Sequence, residues 1–206
     1  VILKDRLVNP KDDLLTTIAT AEIDGKEVDW GIKIGYIRLQ IIAGIDTTWS
    51  AIGSGLWHFA QHNDEVQRLV AVPNDDPLWN TANEEVLRYY APVTMARKVI
   101  NDVEIAGCPM RAGEQTLVTF PAANHDPAAF EDAHIFQLDR QDNRHVAFGV
   151  GIHRCAGSNL ARLEMLVAFQ EWLRAFPNYS LDKSKKTTWA NGQVRGPREI
   201  PVLLNR

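Results

Sequence analysis

The stretch that decides the fold is Phe148-Gly149-Val150-Gly151-Ile152-His153-Arg154-Cys155-Ala156-Gly157. Its glycines permit a tight turn and a close backbone approach to a planar ligand. Cys155 stands just ahead of a helical pattern that begins at Ser158, so the free amides of a helix start would point at the sulfur and favour the thiolate. Other readings of one cysteine stand beside this. A lone Cys is more often a small buried hydrophobe. A zinc site lacks donors, with one Cys and one nearby His where four ligands are needed. A Cys-His nucleophilic pair requires a fold that aims Cys155 and His153 together.

Working outward, Ser158 to Phe176 is apolar at Leu160, Leu163, Leu166, Val167, Phe169 and Leu173, a strong helical period. Upstream, residues 121–147 hold Asn, Asp, Pro and Arg with little periodicity, and so long a loop has a functional or packing reason. Arg97 to Phe120 alternates around Asn101-Asp102, Ala106-Gly107 and Ala112-Gly113, which predicts short antiparallel strands. A helix is expected over Trp79 to Tyr90, stopped before Pro92. A long one is expected from about Val28 to His62, and another begins near Pro10-Lys11-Asp12-Asp13. Gly25 marks a turn, and Trp189 to Leu204 returns as short strands. The fold class is mainly α with a minor antiparallel β portion.

Composition sets the outer limits. The 206 residues are 45% hydrophobic and 23% charged, with net charge −4, an ordinary globular balance that argues against nucleic acid or an anionic membrane as main partner. The charged opening VILKDRLVNPKDD does not read as a signal peptide, and its abrupt start without Met looks cut from something longer. The most apolar stretch, Ile32 to Ala60, is interrupted by Lys33, Arg38, Gln40, Asp46 and His58, which excludes a transmembrane span there. Two cysteines, Cys108 and Cys155, make no disulfide framework, so a cytoplasmic location is the default.

The middle of the long helix reads Ala43-Gly44-Ile45-Asp46-Thr47-Thr48. Glycine inside a helix costs about 1 kcal/mol relative to Ala, and Thr hydroxyls bond back to the preceding turn and bend it. A local distortion is therefore expected, either a packing notch or a device with a use. In Glu84-Glu85-Val86-Leu87-Arg88, Glu85 and Arg88 lie three apart on one face, which by itself is a solvated pair contributing about 0.2–0.5 kcal/mol. Glu84 reads as a surface residue.

Residues 148–157 resemble the cysteine loop of the cytochrome P450 family, Phe-Gly-x-Gly-x-His-x-Cys-x-Gly, at every fixed position. From average usage, the chance per starting position is on the order of one in a few hundred million. The long-helix run resembles the family's oxygen-binding helix, Ala/Gly-Gly-x-Asp/Glu-Thr-Thr, and lies upstream in the family's order. The resemblance implies the C-terminal part of the P450 fold, with residues 1–206 the heme-binding portion of a single domain whose N-terminal half is absent.

It also implies roles. Cys155 is the proximal ligand of heme b (iron protoporphyrin IX), and such a thiolate pushes electron density that helps break the O–O bond. His153 and Arg97 donate to heme propionates, and Phe148 packs beside the sulfur. Gly149, Gly157, Ala43 and Gly44 are further cofactor-binding positions, Gly44 leaving room for dioxygen. Asp46 and Thr47 are the acid–alcohol pair that delivers protons. Ile45, Val93, Thr94, Met95 and Val194 line an apolar substrate pocket. Glu85 and Arg88 become a buried structural pair anchoring the cysteine loop. The family's third member of that cluster, an Arg or His before a Phe, falls on Ile135 here, a departure that leaves His134 as the neighbouring substitute.

The implied activity is a monooxygenase hydroxylating or epoxidising a small apolar substrate. Electrons come from NAD(P)H through a ferredoxin or flavodoxin, which would dock on Arg144, Arg154 and Arg162. A heme-binding or sensing module without turnover, or an inactive fragment, are the alternatives.

Overall fold

The computed structural model describes residues 1–205 and divides into two compact units, Val1–Ile45 and Asp46–Arg206. In the first, α1 (Ile2–Val8) precedes α2 (Leu14–Ala19). The acidic residues after Pro10 do start a helix, but it begins at Leu14. Asp13 caps it by accepting from the Thr16 amide at 2.7 Å. That bond, with Arg6 at 2.7 Å, holds the Asp13 carboxyl down at about 2.

Strands β1 (Glu22–Ile23) and β2 (Lys26–Glu27) form a hairpin. Its two-residue loop, Asp24-Gly25, has positive φ at both positions, as a tight hairpin of this kind demands. Leu3, Ile18 and Ala19 make a small core with Trp30, Ile34 and Ile37. Lys33 is buried yet satisfied, its Nζ donating to Ala19 O at 2.7 Å and to Glu27 at 2.9 Å.

The long helix α3 (Trp30–Phe59) starts in this unit and ends in the other. It stays helical through Gly44 and Thr47, so the expected interruption does not occur. The cost of one glycine is too small to break a helix of 30 residues. Its end falls at Phe59, short of His62. The chain restarts as α4 (Asn63–Val70), whose Asp64 and Glu65 favour a helix N-terminus.

In the second unit, α5 (Pro77–Tyr90) is capped by Asp76, which accepts from the Leu78 amide at 2.8 Å, with Pro77 in the first turn where its missing N–H costs nothing. Strands β3 (Thr94–Lys98), β4 (Val103–Ile105), β5 (Cys108–Met110) and β6 (Gln115–Thr119) pair antiparallel as β3–β6 and β4–β5. The single-turn α6 (Phe120–Ala123) opens the long loop, and α7 (Ser158–Ala175) follows the cysteine turn. The tail supplies β7 (Ser180–Leu181), β8 (Thr188–Asn191), β9 (Arg195–Glu199) and β10 (Val202–Leu203) in two further antiparallel pairs.

Phe59, Leu69, Trp79, Val86, Leu87, Met165, Phe169 and Leu173 form the core that welds α3, α4, α5 and α7. The chain is mainly α with small antiparallel sheets, as expected. Strand β9 runs against α3 at very close range. A methyl group at Gly196 would sit 2.4 Å from Ser50 Cβ and 2.9 Å from Ser50 Cα. Among the described residues, no helix is long and apolar enough to cross a membrane.

Candidate heme site and its buried anchor

Two glycines make the cysteine turn possible. Gly149 and Gly151 adopt φ of 69° and 68°, the left-handed region that a side chain disfavours. The turn closes through Gly149 N donating to Val146 O at 2.8 Å and Cys155 N donating to Phe148 O at 2.9 Å. Residues Gly151–His153 form a short 3-10 turn between them.

Cys155 is a free, exposed thiol. The first amide of α7, that of Ser158, donates to the Cys155 carbonyl at 3.4 Å. For this amide the expectation that it points at the sulfur is corrected, because closing the turn uses its hydrogen. Gly157 lies close by, since a Cβ there would stand 4.0 Å from the sulfur. His153 is exposed, and the Phe148 ring is held under the Arg162 guanidinium at 4.6 Å. Around the thiol's loop and the following helix, Val150, Ile152, Leu160 and Leu163 are all exposed apolar residues. One soft sulfur donor beside exposed apolar side chains fits a flat, largely apolar macrocycle bound through its metal.

Asp46 is held from two sides. Arg198 Nη1 on β9 lies 2.7 Å from Asp46 Oδ1, and Trp49 Nε1 donates to the same oxygen at 2.8 Å. Thr47, next along the helix, is half-buried. On the other half of the helix, Ala43, Gly44 and Ile45 are exposed, and a methyl at Gly44 would meet nothing within 4 Å.

The loop between β8 and β9 folds back on the residues after α5. Val93 bridges to Val194, Thr94 N donates to Gln193 O at 3.0 Å, and Arg195 N donates to Pro92 O at 2.7 Å. Gln193 also reaches Met95 Sδ at 3.7 Å. The structure thus brings Val93, Thr94, Met95 and Val194 together. Arg97 sits exposed on β3, donating to its own strand at Ala96 O.

A dense polar assembly is buried around Glu85. Arg88 forks onto Glu85 at 2.7 and 2.8 Å, with neither side chain exposed. Arg140 Nε reaches both Glu85 oxygens at 3.2 and 3.1 Å, joined by the Gln137 amide and the Asn143 side chain. The remaining guanidinium hydrogens serve the long loop. Arg88 donates to the carbonyls of Asn124, Ala133 and Ile135, and Arg140 to those of Glu131, Asp132 and Ile135. A loop without ladders must find partners for its main-chain groups, and two cations supply them. Asn124, fully buried, adds a clamp by donating to Arg88 O and accepting from Val146 N at 2.8 Å.

The family profile described as Cytochrome P450 matches residues 74–201. The chain belongs to the cytochrome P450 family. It is 35% identical to the polyketide biosynthesis cytochrome P450 PksS of Bacillus subtilis, over 100% of this chain and 51% of that protein. It is 34% identical to the steroid C26-monooxygenase of Mycolicibacterium smegmatis, over 98% of this chain and 50% of the relative. The crystal structure of CYP109E1 from Bacillus megaterium in complex with testosterone superposes with a TM-score of 0.91 at 31% identity, covering 100% of this chain and 57% of that one. The chain therefore spans about half the length of the P450 relatives it matches.

Two sequence expectations change within this P450 frame. Ile135 gives only its carbonyl to the buried cluster, and His134 stacks on His125 at 5.7 Å. Arg140, five residues on, is the second arginine on Glu85. Its signal in the sequence was a cation in a loop with no periodicity.

Glu84 is not a surface duplicate. It accepts from Arg162 at 2.6 and 2.9 Å and pairs with His145 at 3.0 Å. Burial alone would raise its pKa, but the bonds and charges of His145 and Arg162 outweigh it and bring the carboxyl down to about 2. Arg162 is thereby committed inward and leaves the expected basic face. Arg144 and Arg154 remain exposed, Arg144 beside Asp142 at 3.2 Å.

Proposed function

We propose that residues 1–206 form the C-terminal heme-binding portion of a single P450 domain, and that the complete protein is a heme-thiolate monooxygenase hydroxylating or epoxidising a small apolar compound. The observation that carries this reading is the exposed Cys155 thiol at the end of a glycine-shaped turn whose sequence matches the family's loop throughout. Heme b held by that sulfur would supply dioxygen activation at a redox-active iron.

The protein's own residues do the rest. Cys155 holds the cofactor, and the turn's hydrogen bonds at Gly149 and Cys155 fix where the sulfur sits. His153 and Arg97, both exposed cations or donors, would take the propionates, Arg97 through the bidentate geometry a carboxylate favours. Asp46 would move protons from solvent and pass them to the Thr47 hydroxyl, with Arg198 and Trp49 fixing one carboxylate oxygen and leaving the other for exchange. Ala43 and Gly44 would give space beside them.

Val93, Thr94, Met95 and Val194 would orient substrate by shape and apolar contact. Relatives named for a polyketide pathway, a steroid and a methyl-branched lipid support an apolar substrate class. Electrons would come from NAD(P)H through a ferredoxin or flavodoxin that meets Arg144 and Arg154. Two free cysteines suit the cytoplasm where such donors work.

The test is the absorbance of the purified protein, reduced and exposed to carbon monoxide. The red-shifted Soret band of a thiolate-ligated heme is expected in the natural sequence and absent from Cys155→Ala. A band that survives in Cys155→Ala refutes the ligand assignment.

A further inference from the structure

At the far end of α3, three side chains with metal-binding chemistry converge where none of the roles above places them. His58 lies in the last turn of α3, His62 in the link, and Glu65 in the first turn of α4. Each offers one donor atom, and these atoms all lie within 4.8 Å of one another. His58 Nε2 is 2.8 Å from Glu65 Oε2, and the two imidazoles stack with centroids 4.2 Å apart. We propose that His58, His62 and Glu65 form a binding site for a divalent transition-metal ion, with zinc as the fitting occupant.

The surroundings are those a metal site needs. His58 is buried, backed by the Phe136 ring at 3.9 Å, while His62 is exposed and gives an ion its entry path. The other ring nitrogen of His58, Nδ1, lies 2.8 Å from the Tyr90 hydroxyl. A carboxylate only accepts, so Nε2–H donates to Glu65 and Nδ1 accepts from the Tyr90 hydroxyl; an ion would displace the Nε2 proton, and Nδ1–H would then donate to Tyr90 Oη. Ligating histidines are oriented by an outer partner in this way. Burial pushes the His58 imidazole pKa down, against the opposing pull of the Glu65 carboxylate.

Two imidazoles and one carboxylate suit zinc, copper or nickel better than calcium or magnesium, which prefer all-oxygen shells. Bonds to zinc of about 2.0–2.2 Å set tetrahedral ligand atoms roughly 3.3–3.5 Å apart. Glu65 must then relax outward by a fraction of an ångström and His62 move in. Three protein ligands leave a fourth position to water. The ion would tie the end of α3 to the start of α4.

Zinc chloride titrated calorimetrically into the 206-residue chain tests this. One site per chain is expected, with a thermal midpoint that rises on zinc addition and returns with EDTA. His62→Ala and Glu65→Gln, both at accessible positions, should each weaken binding at least about tenfold, and Tyr90→Phe, which touches no ion, by about tenfold through the outer partner. His58→Gln alters a buried position, so the proposal is judged on the other three. Binding no tighter than about millimolar, or affinity retained within a few-fold in the His62→Ala/Glu65→Gln double variant, overturns it.

Discussion

Glu85 and Asp46 are both carboxylates held by arginine, yet Glu85 has no solvent contact and Asp46 keeps 42% of its side chain exposed. Glu85 receives two guanidiniums, a main-chain amide and a side-chain amide, so both its oxygens are saturated. Asp46 receives one guanidinium and one indole, both on Oδ1. A saturated, dry carboxylate has no route for a proton and serves only to organise the loop around it. A half-open one, held through a single oxygen, keeps access to water. A carboxylate–guanidinium pair is thus an anchor in one place and, in the proposed reading, a relay in the other.

The contrast can be broken most severely at the anchor. Arg88→Met should destabilise the fold by about 3–5 kcal/mol, because it takes the bidentate partner from buried Glu85 and orphans the Asn124 and Ala133 carbonyls. Arg140→Met should follow at a smaller cost, since Arg88 still forks onto Glu85. Urea unfolding measures both, and a Glu85/Arg88 double replacement by apolar residues should recover part of the loss. Near-native stability in Arg88→Met would mean the cluster is not what holds the loop.

Glu84 provides an intermediate case. Its folded pKa, about 2, lies below the ordinary 4.5, so its contribution is complete above about 4.5 and disappears as pH falls towards 2. Glu84→Gln should cost about 1–2 kcal/mol at neutral pH and make stability fall less steeply through that acid window. Parallel pH–stability curves for the two proteins would remove the assigned coupling.

The smallest effect on folding belongs to the open pair. Arg198→Leu should change stability by less than about 1 kcal/mol. On the proposed function, the same change in the complete protein should lower the fraction of consumed reductant that appears as product, because Asp46 loses the Arg198 contact. Unchanged coupling of electrons to product would separate Arg198 from proton handling.

How far the sequence disclosed all this depends on the kind of interaction. The cysteine turn was legible because its glycines and its thiol carry their constraints locally, and left-handed φ at Gly149 and Gly151 is the same fact read twice. The helices α5 and α7 and the strands β3 to β6 announced themselves by period, cap and turn. Arg140, Asn124 and Glu84 did not. Their roles depend on which carbonyls a loop of irregular path presents to them, and no local pattern encodes that path. The end of α3 was misplaced for a related reason, since His58, Gln61 and His62 continue a helical pattern and only the restart at Asn63 breaks it.

Gly196 gives the open pair a second dependence. Strand β9 passes α3 at a distance that only a hydrogen atom fits, and Arg198 rides two residues further along the same strand. A position with no chemistry of its own therefore sets the standoff at which a cation meets Asp46. Drift to alanine there would tilt the strand, and the first casualty would be a charged contact rather than the hydrophobic interior. Tolerance to mutation along β9 is accordingly narrowest where the side chain is smallest.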